Sequence, residues 1–513
     1  MQTRKALAMR NGWIRVRAVI ALLLVVVFYV SAAAMMAGLV FAGLGIGGFA
    51  LHLRGKAILV VGIAALACFG AALVVFWSLL PRWQKFVAPG PELRRDEHPK
   101  LFREIDRVAA FSGQQPPQHV YLVPEVNAFV TERGGVMGLF STRVMGLGLG
   151  LLSSLSVAQV RGVLAHEFGH FAGGDVKLLP WINKARAGML RTLHNLSSAG
   201  ESANSGELAI VTMVFWLVQA PFAGFAKLYL RFTQSLSRAQ EIAADTLAVS
   251  IVGSETHAAA LTLTERAGLV YSAFLRHDVE PLLATGRLPP LGSGFAQFLS
   301  APNVTKALDE HHQQSPTEVD PYDSHPPLAE RLAHAAQLNR QVPSRPVDDE
   351  PGLTLLADVA ACELTLAKFV TERDALLPVS WEASGDCLST GWRAELRELG
   401  EAWAGVPVAE VPRTSDDVRA LLERGSKPAG DATDVQVMGF ASRVTWLGLS
   451  ALLIEAGFTV RNVPGQTIQF SRGSVTVNPV EVIDAYFAEA GNREVWVATW
   501  TEAGIADRVF PVA

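Results

Sequence analysis

His166-Glu167-Phe168-Gly169-His170 sets two imidazoles and a carboxylate within little more than one helical turn. Residues four apart on a helix share a face, with Cβ atoms about 6 Å apart, so both rings can reach one metal ion. The carboxylate beside the first ring points off that face. There it can take a proton from a metal-polarised water without occupying a coordination position. The chemistry indicated is that of a zinc ion with a general base beside it. Three fixed residues also arise by chance, so the surrounding elements must decide.

A helix to carry the motif is indicated independently. Ser156 followed by Gln159 has the form of a capping box, and Val157, Val160, Val163 and Leu164 supply a buried stripe. Gly173-Gly174 ends the helix just past His170. Asp175 then stands close enough to accept a hydrogen bond from a ligand histidine, although a plain turn aspartate reads the same way.

A catalytic zinc usually has three protein ligands and a water, so a third ligand is needed elsewhere. The candidate is Glu241, in Ser237-Arg238-Ala239-Gln240-Glu241-Ile242-Ala243-Ala244-Asp245. Ala243, Ala244, Leu247, Ala248 and Ile251 make this an apolar helix with Glu241 and Asp245 on one side. Carboxylates on such a helix are costly to bury unless paired or bound to metal. Glu241 is therefore read as the ligand, with Asp245 supporting a ligand histidine or pairing with Arg238. The alternative is an ordinary solvated helix face.

These segments resemble the HtpX family of membrane zinc peptidases and its CAAX prenyl protease relatives. The likeness rests on HEFGH, the Asp five residues later, and Glu241-x-x-Ala244-Asp245. Asn127-Ala128-Phe129, ahead of a strand-like run at 143–149, is similar to the family's approach to its substrate-binding strand. Ser324-His325-Pro326-Pro327-Leu328-Ala329-Glu330-Arg331 is similar to its late Ser-His-Pro motif. The pieces cover roughly residues 90–340 in family order.

The resemblance implies one zinc per chain held by His166, His170 and Glu241, with Glu167 as general base. It also implies a place near the site for His325, steadying the oxyanion. An aspartate or serine followed by prolines is equally an ordinary helix start, in which His325 would only cap or pack. The expected substrate is an extended polypeptide lying against an edge strand around Val144-Met145-Gly146-Leu147, adding one strand through backbone hydrogen bonds. Gly146, Gly148 and Gly150 would let that backbone approach closely.

Composition indicates a membrane protein with a sizeable soluble part. Half of the 513 residues are hydrophobic and 18% are charged, with a positive mean hydropathy of +0.27. Residues 18–50 and 57–80 carry almost no charge and are each long enough to cross a bilayer, with Trp77 and Trp83 as interfacial anchors. Ser31-Ala32-Ala33-Ala34 resembles a signal cleavage site, but the apolar stretch continues well past it. Lys and Arg cluster before the first span and after the second, with only Arg54 and Lys56 between. The positive-inside rule then places both ends, and the peptidase domain, in the cytoplasm at the inner membrane.

A third apolar run, 208–226, separates the halves of the zinc site. A single crossing there would put Glu241 and His166 on opposite sides of the membrane. Its one available partner, 178–196, contains Lys184, Arg186, Arg191 and His194. An embedded, non-crossing hairpin broken at Pro221 and Gly224 is the expectation, with a plain core helix as the alternative.

The resulting architecture is α+β. It has an N-terminal transmembrane hairpin (1–90) and a mainly helical zincin-type (gluzincin) metallopeptidase domain (91–340) with a short edge-strand sheet. A linker (341–352) and a separate C-terminal α+β domain (353–513) follow. In that last part 353–376 and 416–423 read as helices, 467–477 as a hairpin around Arg472-Gly473, and 494–500 as a buried strand. Cys68, Cys362 and Cys387 show no metal or disulfide spacing. Net charge is −4 without a basic stripe or a phosphate-binding glycine loop, which argues against nucleic acid and nucleotide as partners. The partners expected are a lipid bilayer and extended or misfolded membrane proteins, in a quality-control role. Two alternatives stand beside it: a dedicated maturation protease of the CAAX prenyl type, and an inactive zinc-binding scaffold. The intact Glu167 speaks against the scaffold.

Overall fold

The computed structural model describes residues 2–80, 86–133, 142–172, 179–202, 209–314, 326–424, 430–488 and 492–511. Trp83, Gly173, Gly174, Asp175, Ser324 and His325, all named above, lie outside these.

The chain opens on two long apolar helices, α1 (Gln2–Ala50) and α2 (Lys56–Leu79). They turn at Gly55, whose φ of 69° suits glycine. Next come α3 (Pro99–Ser112), β1 (His119–Val123), β2 (Ala128–Arg133), β3 (Thr142–Gly148) and α4 (Leu149–Ser154). Three helices carry the expected site: α5 (Val157–Ala172), α6 (Leu179–Ser202) and α7 (Ala209–Val252). After α8 (Ser254–Phe274) come α9 (Glu280–Ala284), β4 (Arg287–Leu288), α10 (Leu291–Leu299), α11 (Pro302–Gln314) and α12 (Leu328–Leu338). The C-terminal third holds α13 (Val359–Thr371), β5 (Leu377–Pro378), α14 (Trp381–Leu399), α15 (Ser415–Arg424) and α16 (Asp434–Glu455). It closes with β6 (Thr459–Arg461), β7 (Gln469–Arg472), β8 (Val475–Val477), α17 (Pro479–Phe487) and α18 (Arg493–Glu502).

Two apolar clusters organise these elements. One joins α1, α2, α6 and the first half of α7 through Phe28, Val75, Met189, Leu196, Phe215 and Phe222. The outside of that bundle is apolar as well, with Phe41, Leu66, Trp77, Met213 and Trp216 exposed. Helices apolar inside and out belong in lipid. By length and composition α1, α2 and α7 could each cross a bilayer. The expected break at Pro221 and Gly224 is not found: α7 runs unbroken through both. Packed neighbours stabilise such a helix against the one hydrogen bond that proline removes. The one available partner, with its four basic side chains, is α6, which packs along α7 and bonds α2 from Asn195 Nδ2 to Ser78 Oγ at 2.9 Å.

The second cluster runs from Ile105, Met145 and Leu164 through Phe295 to Trp403, Leu449 and Trp496 without interruption. The segment expected as a linker is a strap. Glu350 and Asp348 carbonyls accept from Val157 and Ala158, satisfying the first amides of α5. Buried Arg161 of α5 bonds Glu104 at 2.6 Å and Asp348 at 2.7 Å, tying α3, α5 and the strap together. Farther on, β5 pairs in parallel with β4, and the buried Glu363 carboxylate accepts from Leu291 and Gly292.

The expected helices and hairpin of the C-terminal third are present as α13, α15 and the β7–β8 pair. The expected strand at 494–500 is instead the helix α18. Trp496 and Trp500, four apart, bury one helical face, and Asn492 caps its start by accepting from Glu494 N. α16 also has the length and composition of a span. It starts at a capping box made by Thr433 and Gln436, and most of its residues are buried in protein.

Candidate metal centre

Position in this site starts with how closely two helices approach. A Cβ on Gly169 would stand 2.6 Å from the Ala244 Cα, so the glycine inside the His-Glu-x-x-His motif lets α5 and α7 cross in backbone contact. Farther along the crossing, Gly162 faces Val252. The capping box is present, with Ser156 N donating to Gln159 Oε1 at 2.8 Å. At this crossing His166, His170 and Glu241 come together, their ligand atoms all within 4.8 Å of one another.

His166 Nε2 stands 3.4 Å from Glu241 Oε2, and His170 Nε2 stands 3.6 Å from Glu241 Oε1. The two rings are nearly perpendicular, with centroids 4.8 Å apart. With bonds of about 2.0–2.2 Å, donors around a four-coordinate zinc are spaced at roughly 3.3–3.6 Å. The spacing and the donor set, two imidazoles and a carboxylate, therefore fit such an ion. Electrostatics favour a cation at the same point. Burial works to lower the His166 pKa, but hydrogen bonds to Asp245 and Glu241 reverse this and raise it to about 9.

Glu167 leaves the shared face, as its place in the motif requires. Burial pushes its pKa up to about 7, opposed by the charge of His166 and reinforced by that of Glu241. Glu167 accepts a hydrogen bond from the Val130 N–H of β2.

Asp245 is fully buried and does take the expected bond from a histidine: His166 Nδ1 lies 2.9 Å from its Oδ1. Its other partners were not foreseen. Arg331 of α12 grips both oxygens, from Nε to Oδ2 at 2.8 Å and from Nη2 to Oδ1 at 2.6 Å. His257 of α8 places Nε2 3.0 Å from Oδ1. The cation is thus Arg331 and not Arg238. Arg331 stands in the Ser-His-Pro segment, and two buried carboxylates demand a buried cation; that demand was the available signal. His257 carried none. His325 lies outside the described residues.

The strand expected at the edge of the sheet is its centre. The order is β1-β3-β2, with β3 parallel to β1 and antiparallel to β2. The outer side of β1 is covered by Pro91 and Leu93. That leaves β2 as the open edge among the described residues. Gly148 N donates to Asn127 O, so odd-numbered residues of β2 bond β3 and even-numbered ones turn N–H and C=O outward. The Val130 N–H reaching Glu167 fits that alternation. The three glycines are not open to a substrate: the Phe129 ring covers Gly146, backbone of Glu125 and Asn127 covers Gly148, and Val126 and Tyr271 cover Gly150.

The sequence has relatives among known proteins. The model described as peptidase family M48 matches residues 95–339. Protease HtpX of Idiomarina loihiensis is 30% identical over 213 residues, covering 38% of this chain and 68% of that protein. The chain belongs to peptidase family M48. It is an HtpX-like member, carrying its peptidase region beside apolar helices long enough to cross a membrane. Protease HtpX homolog 1 of Streptomyces coelicolor is 32% identical over 212 residues, covering 40% of this chain and 64% of that protein. A solved structure, the crystal structure of S. mikatae Ste24p, matches 62% of this chain and 67% of that one. Its identity is 18% and its TM-score 0.26, too loose an overlay to bear on the fold.

Proposed function

We propose that this M48 member is a zinc-dependent membrane endopeptidase of the gluzincin type, with His166, His170 and Glu241 as ligands and Glu167 as general base. The observation that carries the reading is the spacing of three donors at a glycine-mediated helix crossing, 3.4 and 3.6 Å between imidazole and carboxylate atoms. Zinc bound there supplies Lewis acidity, polarising a scissile carbonyl and easing deprotonation of water. Glu167 takes the proton of the attacking water on its carboxylate and hands it to the leaving amine nitrogen. Burial and the Val130 hydrogen bond hold that carboxylate in place. Asp245 orients His166 by accepting from Nδ1, which leaves Nε2 bare for the metal. His325 remains a candidate for contact with the oxyanion, on its motif alone.

The substrate is an extended segment added as a strand to β2, reading backbone at residues 128 and 132 and the Val130 carbonyl, while the Val130 N–H stays with Glu167. The Val130 N–H belongs to that row, so the added strand passes beside the base. Backbone reading implies broad specificity and suits a quality-control role on membrane proteins at the inner membrane. The orientation that supports this puts the peptidase region on the cytoplasmic side, with α6 and α7 joining α1 and α2 in the bilayer and returning the chain to the side it left. We also retain the C-terminal region, 353–513, as a recruiting or regulatory module.

The test compares the detergent-solubilised wild type with Glu167→Ala and Glu241→Ala, measuring zinc content and casein cleavage on each. Expected are about one zinc per chain with cleavage in the wild type, and zinc with cleavage reduced about 10²–10⁴-fold in Glu167→Ala. Glu241→Ala should lose both. Stoichiometric zinc in Glu241→Ala would remove the ligand assignment.

A further inference from the structure

His257 is 1% exposed, and among the described residues the one polar contact of its ring is the 3.0 Å approach of Nε2 to Asp245 Oδ1. Its Nδ1 is buried, has no hydrogen-bond partner among those residues and points toward Gly162, on the helix that carries the two motif histidines. Leaving a ring nitrogen orphaned costs stability. An apolar side chain would fill the same space without that cost, so packing alone does not account for a histidine here.

The three residues His166, Asp245 and His257 also stand close enough to suggest a second metal. Their chemistry says otherwise. Separations of 2.9 and 3.0 Å are hydrogen-bond lengths, and the Arg331 guanidinium already occupies both oxygens of Asp245. Arg331 grips Asp245 and stands 3.7 Å from Glu241, and a proton on His257 Nδ1 would have no group among the described residues to accept its bond. His257 is therefore the tautomer with Nε2–H, donating to Asp245.

We propose that His257 is a positioning residue of the metal centre: its Nε2–H pins Asp245 Oδ1 at the point from which that oxygen orients the His166 ring. This rests on His166 being a metal ligand. The donors reach Asp245 from separate elements: His166 from α5, Arg331 from α12 and His257 from α8. Arg331 fixes the plane of the carboxylate through its two-pronged grip. His257 closes the remaining side of Oδ1, so the oxygen cannot rotate away from His166 Nδ1. The rings of His166 and His257 lie nearly parallel, 23° apart with centroids 6.3 Å apart, and share that oxygen.

The experiment measures zinc affinity of the full-length apo-protein in detergent by competition with a chromophoric chelator. Wild type, Glu241→Ala, His257→Leu and His257→Gln are compared, with thermal unfolding of each apo-form recorded alongside. His257→Leu removes the donor and keeps the volume, and is expected to bind zinc about tenfold more weakly. His257→Gln restores an N–H at similar reach and is expected within about twofold of wild type. Wild-type affinity in folded His257→Leu overturns the proposal, and so does a glutamine variant as weak as the leucine one, since the fit of the ring would then matter and not its donor. Absence of zinc binding by the wild type would instead overturn the underlying metal assignment. Nitrogen chemical shifts of His257 in the wild type give a check free of any variant: protonated Nε2 with bare Nδ1 is expected, and the opposite tautomer sinks the idea.

Discussion

The two halves of α7 are cut from one continuous helix and put to opposite uses. Its first half is apolar on every side: Phe215, Val218 and Phe222 pack on α1, α2 and α6, while Met213, Trp216 and Leu217 face outward. Its second half buries two carboxylates, Glu241 at 5% exposure and Asp245 at 0%. In the first half each contact is generic, and many side chains of similar size would serve. In the second half each group is specified from several directions at once. A buried charge persists only where its partners are fixed, so the second half must be rigid where the first need only be apolar.

Asp245 is the sharpest point of that contrast, and the largest effect on stability is expected there. Asp245→Asn keeps the shape but takes the two-pronged partner from the Arg331 guanidinium, leaving it the looser approach to Glu241 Oε2 at 3.7 Å, at a cost of about 3 kcal/mol. The denaturant midpoint of the detergent-solubilised protein measures this. Zinc affinity should fall about 10–100-fold in parallel, through loss of a well-oriented acceptor for His166 Nδ1. A variant as stable as wild type would mean that the carboxylate is not over-determined, and the contrast between the halves would dissolve.

Gly169→Ala probes the same half through shape alone. The added methyl group meets the Ala244 backbone at 2.6 Å, and backbone cannot swing aside as a side-chain tip can. Forcing α5 and α7 apart should cost about 1–3 kcal/mol. It should also weaken zinc binding, because His170 and Glu241 face each other across that crossing. Unchanged affinity in the alanine variant would show that the helices can separate without moving the donors.

What was legible in the sequence follows the same division. The spacing of His166, Glu167 and His170, and the anomaly of Glu241 on an apolar helix, are local patterns, and the structure brings His166, His170 and Glu241 into one cluster. The demand for a cation near Asp245 was readable too, but its source was not: Arg331 is 86 residues away, and Arg238 was simply nearer in the chain. Strand order failed for a related reason. Alternation identifies a strand but says nothing of its neighbours, so β3 passed for an edge when β2 is one. Composition alone could not separate α7 from α16 as spans either. One shows its apolar side chains to the outside and the other to a protein core, and hydropathy is blind to which. At α18, tryptophan and valine suggested a strand until an asparagine cap and the interval of four between Trp496 and Trp500 favoured a helix.

The smallest effect is expected at the generic end. Trp216 is 66% exposed and Leu217 62%, and both face away from the cluster formed with α1, α2 and α6. Side chains bathed in lipid or detergent keep the same surroundings when neighbouring helices separate, so removing them takes little from the folded state. Trp216→Ala and Leu217→Ala should each leave the unfolding midpoint within about 0.5 kcal/mol of wild type, with zinc binding unchanged. A loss of about 2 kcal/mol or more at either position would mean that this face is covered by protein. The first half of α7 would then be as specifically held as the second.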